Sequence, residues 1–161
     1  MRRQSHAERT ARAFTLVELM VVMAIIATLA LMAVPRFNNA LGPRRAEMAA
    51  NRVAADLDYA RRHARMTATT VAVRFEATNS AYTLVGVADP DHPTQTYIVK
   101  LGDDPYRAAL GSIDLGGDTN LIFDGWGDAD TRAAIAVTTT AAEYLVTLER
   151  YAPHAAVSRT R

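Results

Sequence analysis

The chain has no cysteine among its 161 residues. Thiol nucleophiles, thiolate metal sites and disulfides are thereby excluded, and any folded part in an oxidising compartment must be stable without cross-links. Excess charge is lacking too. Eighteen Lys and Arg stand against 17 Asp and Glu, a formal net charge of +1, which argues against binding nucleic acid by bulk charge. The four histidines, His6, His63, His92 and His154, lack metal-ligand spacing, and no turn signature of a Ser-His-Asp nucleophile is present. There is no internal repeat, low-complexity tract or second domain. These absences point away from an enzyme, and no cofactor is expected.

What the chain does have is an apolar run, Phe14 to Val34, interrupted only by two threonines and Glu18. A helix of ~20 such residues covers a hydrocarbon core of about 30 Å. A charge within hydrocarbon costs roughly 2.5 to 3.5 kcal/mol on insertion scales, so Glu18 calls for a partner. The segment before the run, Met1 to Ala13, carries Arg2, Arg3, Arg9 and Arg12 against Glu8. Positive charge on a short flank keeps that end cytoplasmic and sends the remainder across. The far end, Leu31-Met32-Ala33-Val34-Pro35, fits an ordinary secretory cleavage site poorly.

Ala13-Phe14-Thr15-Leu16-Val17-Glu18 resembles the class III signal of type IV prepilins and type II secretion pseudopilins. The resemblance implies that a prepilin peptidase in the membrane cuts between Ala13 and Phe14 and methylates the new amino terminus; Ala13 stands where Gly is usual. Such a cut creates an ammonium group at Phe14, four residues from Glu18. In a fibre of stacked helices the Glu18 carboxylate of one subunit can then pair with the Phe14 ammonium of its neighbour, replacing two isolated charges by one pair. The plainer account of Glu18 is a signal anchor whose acid is protonated or snorkels to the interface. Pro35 removes a helical donor, and Asn38-Asn39 and Gly42-Pro43 weaken helicity again. The resemblance makes Pro35 a hinge that loses helix during assembly; equally, it ends the membrane helix at the interface.

From Arg44 to about Met66 the helical period returns, with Ala46, Ala49, Ala50, Val53, Leu57, Ala60 and Ala64 on one face and charged residues, Arg52 and Asp56 among them, on a solvated one. Strands are expected at Thr70–Phe75, Ala81–Val87 and Thr96–Leu101 as one set, and at Asn120–Phe123, Ala134–Thr139, Tyr144–Tyr151 and Ala155–Arg159 as a second. The fold class is therefore α+β: a long N-terminal helix, membrane span plus amphipathic half, packed on two small antiparallel sheets. The expected organisation is a leader over 1–13, a transmembrane helix and hinge over 14–43, and a periplasmic globular domain over 44–161. Leu57-Asp58-Tyr59-Ala60-Arg61-Arg62-His63-Ala64 followed by Val71-Ala72-Val73-Arg74-Phe75 looks like the minor pseudopilin H and pilin T type (GspH/FimT-like) of this superfamily.

Asp124, Asp128 and Asp130 could offer oxygens to calcium, but they lack the order of an EF-hand loop, and a plain acidic turn is preferred. Phe123 and Gly125 resemble a structural turn of pseudopilin H relatives, and Trp126 is either a buried lid or an exposed contact. Arg159 and Arg161 end a small basic cluster; Ser158-Arg159-Thr160-Arg161 loosely resembles a DNA-holding tail of pilin T relatives, against the default of a solvated tail. The resemblance implies a minor pseudopilin of the type II secretion pseudopilus. Its expected partners are prepilin peptidase, other pseudopilins or pilins, and an inner-membrane assembly platform. Its expected place is the inner membrane, then a periplasmic fibre. The alternative is a minor type IV pilin that binds DNA or a surface ligand.

Overall fold

The computed structural model describes residues 15–161, with side chains throughout except over 32–39. One helix, α1, runs from Leu16 to Thr67. The chain forms two compact units, one reaching Phe37 and the other Asn38–Arg161.

The second unit contains eight strands: β1 Val71–Glu76, β2 Ala81–Ala88, β3 Thr96–Lys100, β4 Ala109–Asp114, β5 Asn120–Phe123, β6 Ala133–Thr138, β7 Glu143–Leu148 and β8 Ala156–Arg159. They make two four-stranded antiparallel sheets, ordered β3-β2-β1-β5 and β4-β6-β7-β8. The expected helical stripe is the floor of the core: Ala46, Ala49, Ala50, Val53, Ala60 and Ala64 are fully buried and Leu57 nearly so. Methyl side chains let the sheet residues approach the helix closely. Alternation brings Val71 and Val73 of β1, and Tyr144, Val146 and Leu148 of β7, onto the same core. In β2 the ladder to β3 skips from Leu84 to Ala88, with Gly86 at φ +89°, so the inward position passes to Val87.

Four features differ from the sequence expectation. The backbone stays helical through Pro35 and through Gly42-Pro43, so no interruption separates the amphipathic stretch from what precedes it. At 42–43 the sheet helps hold the helix. Thr139 Oγ1 donates to the Gly42 carbonyl at 3.1 Å, and a Cβ on Gly42 would lie 2.7 Å from that of Ala141. Second, β5 belongs with the first sheet, where Val71 pairs with Phe123. Third, β4 is an additional strand. Gly111 and Ser112 blur its period, and only Leu110 in it is buried.

The fourth difference lies on the supposedly solvated face of α1, where Asp56 is 6% exposed. β2 and β3 bring two phenols onto it. Tyr82 donates to Oδ2 at 2.5 Å and Tyr97 to Oδ1 at 2.9 Å, while Arg52 Nε donates to Oδ2 at 2.9 Å and its other arm reaches the Tyr97 hydroxyl. A lone buried carboxylate would cost several kcal/mol, and three charge-assisted bonds offset that cost. Burial, then the Asp56 charge, pushes the Tyr82 phenol far above its ordinary 10.0, and the same causes push Tyr97 up to about 12. Burial works against the Arg52 guanidinium, but Asp56 together with the Tyr97 and Tyr82 phenols outweighs it and holds Arg52 above its ordinary value.

Two outcomes are expected. Because the fold favours the neutral phenols, their contribution to stability is complete below pH 10.0 and is lost as pH climbs towards about 12 and beyond. Denaturant unfolding of the full chain in maltoside micelles should therefore weaken steeply above pH 10, and less steeply in Tyr97→Phe; equal slopes would contradict this. Gly42→Ala, which in an open helix gains up to about 1 kcal/mol, should here cost about 1–3 kcal/mol through overlap with Ala141. The same unfolding measurement checks the sign.

Candidate functional site

The first unit opens with a capped helix. Thr15 Oγ1 accepts the Glu18 N–H at 3.2 Å, and the Thr15 carbonyl accepts the Leu19 N–H at 3.1 Å. Thr15 is thus the N-cap of α1, in a Thr-x-x-Glu sequence whose observed half is the Thr15 hydroxyl on the Glu18 N–H. An acid in the first turn also faces the positive end of the helix dipole. The sequence carried this signal in its Thr-x-x-Glu spacing; the reading of Glu18 as an intramembrane charge passed over it. Glu18 is exposed and forms no ion pair among the described residues.

Every side chain from Thr15 to Leu31 is exposed. The large apolar ones range from 42% exposed at Val22 to 78% at Leu31. Thr28 settles its own hydroxyl on the Ile25 carbonyl at 2.8 Å, so within the run its hydroxyl needs no water. A helix apolar on all sides requires lipid or other helices around it. Among the described residues no helix is long and apolar enough to cross a membrane; the described side chains of the run stop at Leu31, whereas the run itself reaches Val34. Ala13 and Phe14 lie outside the described residues. Pro35 lies within α1.

The acidic turn is held by its own backbone. Asp124 Oδ1 accepts the N–H groups of Trp126 and Asp128, each at 2.9 Å, and Asp130 Oδ1 accepts that of Ile122 at 3.0 Å. No group of three or more His, Asp or Glu side chains gathers to hold a metal among the described residues. Phe123 is fully buried, and a Cβ on Gly125 would lie 3.1 Å from the backbone of Ala68, so this turn seals the sheet against the chain leaving α1. Trp126 is an exposed side chain, 80% accessible, and not a lid.

On β8, Arg159 is exposed and its Nε donates to the Arg161 carbonyl at 2.9 Å, while Arg161 pairs through its backbone with Glu143. The two arginines and the three aspartates are therefore separate features: Asp124 to Asp130 connect β5 to β6, and Arg159 and Arg161 close the β7-β8 edge.

Comparison with known proteins bears on both units. The prokaryotic N-terminal methylation motif matches residues 9–34, and the family described as Type II transport protein GspH matches residues 49–151. No curated protein matches. Among solved structures, the type IV minor pilin FimU of Pseudomonas aeruginosa is similar at 14% identity over 71% of this chain and 87% of that one, with a TM-score of 0.48. The second match alone spans more than half of the chain, and the chain belongs to the GspH family of type II transport proteins, a pilin-like subunit bearing the N-terminal methylation motif.

Proposed function

We propose that the chain is a minor pseudopilin, a structural subunit and not an enzyme, that is inserted in the inner membrane by its apolar helix and assembled into the periplasmic pseudopilus of type II secretion. The family match carries this reading, and the exposed apolar start of α1 supports it. Prepilin peptidase cuts between Ala13 and Phe14 and methylates Phe14; an assembly platform then extracts the helix from the bilayer into a bundle of its neighbours. Glu18 pairs with the Phe14 ammonium of the adjoining subunit. Its place in the first turn supports this role, since a new amino terminus at Phe14 lies one residue before the Thr15 cap. Pro35 serves as the point where α1 loses helix during extraction, because a proline has no N–H to re-form the ladder once it opens.

The second reading, a minor type IV pilin that contacts DNA through Arg159 and Arg161, draws on the exposure of both side chains. The net charge of +1 weighs against it.

Processing is tested by intact mass of the chain purified from membranes that hold an active prepilin peptidase. A chain beginning at N-methylated Phe14 is expected, and one still beginning at Met1 would remove the reading. Glu18→Ala should insert into the membrane as well as the native chain or better, since a charge leaves the apolar run. Its incorporation into sheared or cross-linked fibres should fall severalfold; equal incorporation of the two would sink the pairing.

A further inference from the structure

Beside the last turns of α1 lies a pocket of about 330 Å³ lined by Asp58, Arg61, Arg62, Arg65, Pro153 and His154. It forms because the segment joining β7 to β8 folds back along the last turns of the helix. Three contacts hold it there: the Arg61 guanidinium donates to the Ala152 carbonyl, His154 Nδ1 lies 3.1 Å from Asp58 Oδ2, and the Ala155 N–H donates to Asp58 Oδ1 at 3.1 Å.

Those contacts occupy both oxygens of Asp58, the acid that lines the pocket together with the three arginines. Arg65 uses Nε on the Trp126 carbonyl at 2.9 Å, which leaves its two terminal nitrogens available. Arg62 makes no hydrogen bond or ion pair among the described residues and is exposed. Cations near a helix C-terminus often serve only to offset the dipole. Here Arg61 and Arg65 reach across to carbonyls of two other segments and not back to those of the helix, and Thr67 tends the helix end by donating to the His63 carbonyl at 2.8 Å. Three cations face one committed carboxylate in a concave site within a chain of net charge +1.

We propose that this pocket binds a single phosphate-type oxyanion, with Arg62 and Arg65 as its ligands and Arg61 positioning the rim that carries Pro153 and His154. Forked guanidinium groups offer paired N–H donors that match two oxygens of a tetrahedral anion. The volume admits one such group, free or as a small phosphate ester. A polyanion is disfavoured, because Asp124 lies directly beside Trp126, its carboxylate accepting the Trp126 N–H at 2.9 Å, and Trp126 borders the same arginine.

The test is a titration of the full chain in maltoside micelles with inorganic phosphate, chloride being withdrawn to keep ionic strength constant. The readout is the imidazole carbon-bound proton resonance of His154 by NMR. A saturable shift with half-saturation in roughly the millimolar range is expected. Arg62→Gln, whose side chain holds no other segment, should raise the half-saturation about tenfold at unchanged melting temperature, and Arg159→Gln with Arg161→Gln should leave it unchanged. Glycerol 3-phosphate competing on equal terms would uphold the site and extend it to headgroup-like esters. A shift that grows linearly, follows chloride equally, or ignores Arg62→Gln would overturn the proposal. So would displacement of phosphate by a short DNA duplex at far lower phosphate concentration, which would assign the arginines to nucleic acid.

Discussion

One buried core joins the alanine row of α1 to residues of both sheets, and the rest of the domain depends on how closely that row can be packed. Ala46, Ala49, Ala50, Ala60 and Ala64 leave no solvent gap along α1, so the floor of the core is helix backbone carrying methyl groups. The bulk comes from above, from Tyr82, Leu84, Leu121, Phe123, Ile135 and Leu148. Each of these alanines is fully buried, so enlarging one would overpack the shared core, and overpacking of this kind costs typically about 1–3 kcal/mol. With no cysteine in the chain, this core and the Asp56 cluster hold the domain together without disulfides.

α1 meets two environments with one backbone. Up to Leu31 its described surface is exposed and, Glu18 and two threonines apart, apolar on all sides; from Arg44 it is one-sided, with alanines inward and most charged side chains outward. The first pattern suits an environment without water and the second suits a folded core. Thr15 makes the upstream pattern possible by capping the first turn from within the chain, and Thr28 by folding its hydroxyl onto its own helix.

The alanine stripe was legible in the sequence because its period is local: every member lies three or four residues from the next. So were β1, β2, β3, β6 and β7, whose alternation is strong, and the α+β class that follows from them. β4 was not, since Gly111 and Ser112 interrupt its period and a register shift follows Leu110. The sheet to which β5 belongs is set by its pairing with β1, about which Asn120–Phe123 alone says nothing. Asp56 looked like one more surface acid because the phenols that bury it lie 26 and 41 residues away. The arginine pocket was hidden likewise: its rim is tied to Asp58 by a contact across 96 residues. Glu18 stood out as a charge in an apolar run, while its capping geometry needed Thr15 to be read with it.

Gly42 has a mechanical consequence. Its carbonyl is held by Thr139, and the surface beside it is filled by Ala141 with no space for a side chain. Sliding α1 by one turn along its axis would bring the methyl group of Ala46 against the β6-β7 turn where only Gly42 fits, so the seat works as a detent. Within this unit a pull along the helix axis would load the notch in shear, where Thr139 and Ala141 meet Gly42, and would not peel a single strand.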